Sequence, residues 1–136
     1  MKETAEVRRD RVSVDAASHE FYRTLTSGEE SPFKTMKDLF LVAACLGFQL
    51  NKRVPLERRQ QVFAWSIFSP QDDIPVLRAL AIAATGDVKV LLDQGELLTI
   101  AEEYANGGIS LIEQRVAQEP GDRLLKFAEL VVAGVR

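Results

Sequence analysis

Eight consecutive apolar residues, Leu39-Phe40-Leu41-Val42-Ala43-Ala44-Cys45-Leu46, follow a helix-start signal, and this run constrains the fold more than any other part of the chain. Thr35-Met36-Lys37-Asp38 fits the broader S/T-x-x-D/E form of the capping box. In that box a hydroxyl and a carboxylate three residues later serve the N–H groups that a helix's first turn leaves unpaired. A helix apolar on every side has no face to give to water, so it belongs at the centre of a domain. Gly47 is placed to end it.

Helices are expected around it. Asp15 or Ser13 can cap a first helix over Ala16–Thr26, with Phe21, Tyr22 and Leu25 at helical spacing. The segment Thr26 to Pro32 is small, polar and helix-breaking, and reads as a loop. A helix from Leu56 through Phe63 and Trp65 to Ile67 is expected, against the weak helix propensity of its aromatic and β-branched residues. Pro75 fits a first turn, which puts the cap of the next helix at Asp72 or Asp73 and its span at Ile74–Thr85, with Gly86 as the stop. Asp87 caps a short turn to Leu92. Glu96 to Ala105 is expected to be helical, Asn106-Gly107-Gly108 to break it, and Ile109–Gln118 to resume it. Glu119-Pro120-Gly121 reads as a turn before a last helix capped by Asp122. Val12 and Val14 alternate with Arg11, Ser13 and Asp15, a short strand-like pattern of period two. The fold class is therefore mainly α: a compact single-domain bundle of about six helices over residues 11–136, with a short N-terminal β-strand and a mobile tail over residues 1–10.

The composition excludes several classes. A chain of 136 residues with 46% hydrophobic and 27% charged residues is ordinary for one globular domain and unlike a disordered one. Cys45 is the single cysteine and cannot form an internal disulfide. The polar N-terminus lacks a secretory apolar core, and no stretch reaches the roughly 18 apolar residues of a membrane span. A cytoplasmic location without membrane contact is the expectation. The net charge of −3 argues against a general nucleic-acid binder, but residues 1–59 hold 11 Lys/Arg against 9 Asp/Glu, whereas residues 60–136 hold 6 against 11. A basic face is thus available to the N-terminal half alone.

No catalytic, cofactor-binding or metal-ligating set stands out. His19-Glu20 begins like a zinc-protease motif, but the second histidine's place is taken by Arg23. One histidine and one cysteine cannot supply a Cys/His zinc site, and Cys45, in the apolar run, is ill placed to pair with His19 as a nucleophile. Asp72, Asp87 and Lys89 mimic the spacing of metal-dependent nucleases, although helix capping accounts for both aspartates. Glu102-Glu103 are adjacent, hence not on one helix face, and read as a solvated pair.

Two basic clusters remain, Arg8-Arg9 with Arg11, and Lys52-Arg53 with Arg58-Arg59. In a strand, Arg9, Arg11 and Ser13 share one face and the valines the other. If two subunits paired these strands, the homodimer would present a polar ribbon able to enter a major groove, and the strand–helix–helix order of residues 11–48 is similar to the ribbon-helix-helix family, apart from a longer loop carrying Glu29 and Glu30. Arg9, Arg11, Lys52, Arg53, Arg58 and Arg59 are the candidate DNA contacts; ordinary solvated arginines are the alternative.

Four strings carry a family resemblance: Phe33 to Phe40, Ala43 to Phe48, Ala81 to Asp87, and Glu103-Tyr104-Ala105-Asn106-Gly107-Gly108-Ile109. They resemble a small family encoded beside DNA phosphorothioation (Dnd) genes, over about residues 33 to 112. The resemblance implies a role accompanying bacterial DNA sulphur modification or its linked restriction, and brings no catalytic residues. It points to a non-enzymatic accessory protein that binds DNA, or to an interaction subunit that binds other proteins of the modification locus without touching DNA.

Overall fold

The structure, a computed structural model, describes residues 9–28, 31 and 33–118. Its elements run β1 (Arg11–Asp15), α1 (Ala16–Thr26), α2 (Met36–Gln49), β2 (Arg59–Ala64), α3 (Ile74–Thr85) and α4 (Gln94–Gln118), with short 3-10 turns at Trp65–Ile67 and Val88–Leu92. The described residues thus form four α-helices, not six, and a two-stranded antiparallel sheet. The expected turn at Glu119 and helix after Asp122 lie outside the described residues, as do residues 1–8 of the expected tail.

The helix starts follow their caps. Asp15 accepts a hydrogen bond from the Ala17 N–H and Thr35 from the Asp38 N–H. Asp87 caps the 3-10 turn through the Lys89 N–H. Gly86, at φ +70°, ends α3 in the left-handed region. Asp73 stands at the N-cap of α3, but its carboxylate accepts from the Ser69 N–H and from Lys37 on α2 rather than from its own helix. Burial alone would raise the Asp73 carboxyl; these hydrogen bonds outweigh it and hold the group below its ordinary value of 3.8.

The helix expected over Leu56–Ile67 is instead β2 and a 3-10 turn. Val62 and Phe63 suit a pleated strand, and β1, which could not stand alone, supplies the partner. Arg11 pairs with Ala64 and Asp15 with Arg59; the register jumps from Val12–Phe63 to Ser13–Gln61, so Val62 is the extra residue of a bulge. Hydrogen bonds from Ala16 to Arg58 and from Trp65 to Asp10 close the two ends. Within the chain, β1 gives one of its two edges to β2.

Two glycine expectations are also overturned, for one reason. α2 runs through Gly47 to Gln49, and α4 runs unbroken for 25 residues, roughly 37 Å, through Asn106-Gly107-Gly108. These helices share the largest interface in the fold. A Cβ on Gly47 would overlap the Tyr104 carbonyl, and one on Gly108 the Ala43 carbonyl. The glycines let the two backbones touch, which offsets their poor helix propensity. A Cβ on Gly107 would overlap the Lys52 carbonyl, in the turn that Asn51 makes at φ 54°. Asn106 donates to the Val54 and Pro55 carbonyls at 3.2 Å each. The string that reads as a helix break is therefore a docking face within one helix.

The apolar run of α2 is central but not covered on every side. Leu39, Phe40, Ala43, Ala44 and Leu46 are buried, whereas Cys45 and Phe48 reach the surface. Even so, apolar surroundings push the Cys45 thiol up, opposite to what a reactive thiolate needs. The rest of the core comes from Val12 and Val14 of β1, Tyr22 and Leu25 of α1, Leu77 and Ala81 of α3, and Leu98, Ile109 and Ile112 of α4. Phe63 packs edge to face on Phe40 and Phe68, as does Trp65 on Phe68, and Phe40 is tilted against Phe68, with centroids 5.4–6.2 Å apart where α2 meets the sheet.

Gly108→Ala is expected to cost about 3 kcal/mol or more, because backbone must move, against about 1–2 kcal/mol for Gly86→Ala, where only the left-handed backbone is strained and the space around it is open. Urea unfolding midpoints would show the order. For Asp73, a depressed folded-state carboxyl means that its stabilisation is present above the unfolded value and lost as pH falls through the lower folded one. The stability gap between wild type and Asp73→Asn should accordingly be constant from pH 5 to 8 and narrow as pH falls below about 4; a gap that does not narrow on further acidification would contradict this assignment.

Candidate functional site: a basic cavity on the sheet

The acidic pair on α4 organises the basic residues. Glu102 lies on the stripe Leu98–Glu102–Ala105–Ile109, and this spacing turns it inward. It is 1% exposed, which corrects the expectation of a solvated pair. Its Oε2 accepts from the Ser13 backbone N–H at 2.8 Å and from Arg9 Nη2 at 2.6 Å. Its Oε1 accepts from Arg59 Nη2. Two guanidiniums and an N–H are what a buried carboxylate requires to offset its lost hydration. Arg9 is fixed further by its Nη1 bond to Thr99 Oγ1 at 3.1 Å and by the Gln94 side-chain amide, which donates to the Arg9 carbonyl.

Glu103, one residue on, faces the loop after α2. Its Oε1 accepts from Arg53 Nε at 2.7 Å, and its backbone carbonyl accepts from the Val54 N–H at 3.0 Å. The Arg53 guanidinium lies 5.6 Å from the Tyr104 ring centroid, a cation–π distance. Adjacent glutamates thus serve two different neighbours because they point in different directions.

The six basic residues singled out from the sequence divide accordingly. Arg9, Arg11 and Arg59 line an open cavity of about 430 Å³, with Asp10, Ser13 and Gln61 completing its walls. Arg53 and Lys52 sit on the neighbouring loop, against α4. Arg58 lies in the bend just before β2 and is exposed. Arg11, Lys52 and Arg58 are exposed and have no ion-pair partner among the described residues. Arg9 and Arg59 share one carboxylate, so their two positive charges are half compensated.

The other candidate chemistry is not assembled. Asp72 and Asp87 stand at opposite ends of α3, about 18 Å of helix apart, too far to hold one ion. Among the described residues, no three His, Cys, Asp or Glu side chains are grouped as metal ligands, and no helix is long and apolar enough to cross a membrane.

The arrangement of β1 against α4 involves the span that a comparison with protein families recognises. The family model for DNA sulphur modification system-associated protein 4 matches residues 11–131. The chain belongs to this family. The match is wider than the strings around α2 and α4, and takes in β1, β2 and hence most of the cavity wall. No curated protein and no solved structure matches the chain. In this member of the DNA sulphur modification system-associated family, the string Glu103 to Ile109, one of the four that carry the resemblance, packs α4 onto α2 and the Lys52–Pro55 loop.

Removing the buried carboxylate should be costly. Glu102→Ala is expected to destabilise by about 3 kcal/mol, since it strands two arginines and a strand N–H, and Glu103→Ala, whose partner Arg53 is partly hydrated, by about 1 kcal/mol. Denaturant titration of the two variants tests the difference, and equal losses would count against the central role of Glu102.

Proposed function

We propose that this chain is a non-enzymatic accessory protein of a bacterial DNA phosphorothioation modification and restriction locus, and that it contacts DNA through the basic cavity and the cations around it. Family membership supports the setting. The observation that carries the DNA reading is the gathering of Arg9, Arg11 and Arg59 in one cavity with half-compensated charge. Lys52 and Arg53, placed by Gly107 and Glu103, extend it along α4. From Gly95, which Arg9 contacts, to Gly107 is about 18 Å of helix, the rise of about five nucleotides of one strand.

A second reading is a protein-interaction subunit of the same locus. It is favoured by the 3-10 turn after α3, where Val88 is 66% and Leu92 87% exposed. Co-purification with other proteins of the locus after nuclease treatment, lost in a Val88→Asp/Leu92→Asp variant, would establish it.

The DNA reading is tested by fluorescence anisotropy of duplex DNA, with and without phosphorothioate, across a salt series. Arg11, Lys52 and Arg58 can be changed together to alanine without removing an ion pair among the described residues. The triple variant should bind more weakly and lower the salt slope by up to about 3. An unchanged slope would remove these residues from the interface, and absence of binding at low salt would remove DNA as a direct partner.

A further inference from the structure

We propose that the cavity on the sheet is a receptor for one phosphodiester group with its flanking sugars, and that Glu102 is the positioning residue that presents Arg9 and Arg59 to it; this rests on the DNA-binding reading. A guanidinium carries five N–H donors in a rigid fork. Among the described residues Arg9 spends donors of Nη1 and Nη2 on Thr99 and Glu102, and Arg59 one donor of Nη2 on Glu102. The remaining donors belong to side chains held in place and only partly hydrated. Glu102 itself is fully enclosed, and both its oxygens are occupied by protein donors. It therefore orients the two arginines without facing an incoming anion. Arg11, exposed at the same wall, adds a third cation free to approach. Ser13 and Gln61 add polar side chains on paired strand positions.

The walls also limit what fits. Three arginines face the two carboxylates of Glu102 and Asp10, a surplus of one positive charge, which matches a single anionic diester. A polyphosphate would meet Asp10 with charge left over. The volume, about 430 Å³, exceeds that of a bare phosphate and leaves room for the attached sugars. Among the described residues no aromatic side chain lines the cavity, so aromatic stacking adds nothing there and sequence preference is not expected.

The test is calorimetric titration of the full chain at low salt with inorganic phosphate, a thymidine dinucleotide and a duplex. The dinucleotide should bind, and more tightly than inorganic phosphate. Arg11→Gln, which removes no ion pair among the described residues, should weaken the dinucleotide at least tenfold with an unchanged melting temperature. Glu102→Gln, measured where circular dichroism shows it folded, should weaken it similarly. A dinucleotide affinity untouched by Arg11→Gln overturns the proposal, as does one strengthened by Glu102→Gln, which would make Glu102 an internal competitor. Inorganic phosphate binding as tightly as the dinucleotide would assign the site to free phosphate and overturn the diester. Duplex binding without dinucleotide binding defeats the cavity and leaves the DNA reading standing; loss of both defeats both.

Discussion

The contact between α2 and α4 at Gly47 and Gly108 is the constraint on which the other placements depend. Two helical backbones can touch only where side chains are absent, so the crossing point is set to within a residue along each helix. Once it is set, the turn after α2 must leave along α4, and Gly107 admits its Lys52 carbonyl. Asn106 then holds Val54 and Pro55, and the chain is aimed toward β2. The sheet follows from this path, since β2 arrives beside β1 on the same flank of α4. A sliding error of one residue at the crossing would carry Glu102 away from Ser13.

Charge is organised by the same helix. One turn of α4 presents Glu102 to the sheet and Glu103 to the loop, and three of the six basic residues are fixed by this pair. The arrangement separates two tasks. Arg53 ties the loop to α4, whereas Arg9 and Arg59 are locked at one end of their forks and open at the other. A carboxylate hidden beneath arginines gives them orientation without cancelling both charges, and this distinguishes the cavity from a run of solvated lysines.

Elements with strong local signals were readable from the sequence. Asp15, Thr35, Gly86 and Asp87 mark ends that depend on nearby backbone alone: α1 and α2 begin, α3 stops and the 3-10 turn starts where those residues place them. The misreadings share a cause: the deciding partner is far away in sequence. Gly107-Gly108 reads as a break because glycine is a poor helix former, and only the Ala43 and Lys52 carbonyls reveal that the missing side chains are a packing device. Residues 59–64 read as helix because β1, their partner, lies more than forty residues earlier. The inward placement of Glu102 does have a signal in the sequence. Its period with Leu98, Ala105 and Ile109 points inward, but the neighbouring Glu103 made the pair look like a solvated face. The basic residues were identifiable as a set, while their division into held and unheld members was not.

The bond from Arg9 to Glu102 spans 93 positions of the chain. During synthesis at 5–20 residues per second, Glu102 follows Arg9 from the ribosome by about 5–20 s. Over that interval the arginines of the nascent chain have no buried carboxylate to order them, and Val12 and Val14 have no α4 to cover them. The cavity can exist only once nearly all of the described chain has been made, so a truncated product lacking α4 would carry the basic residues without the site.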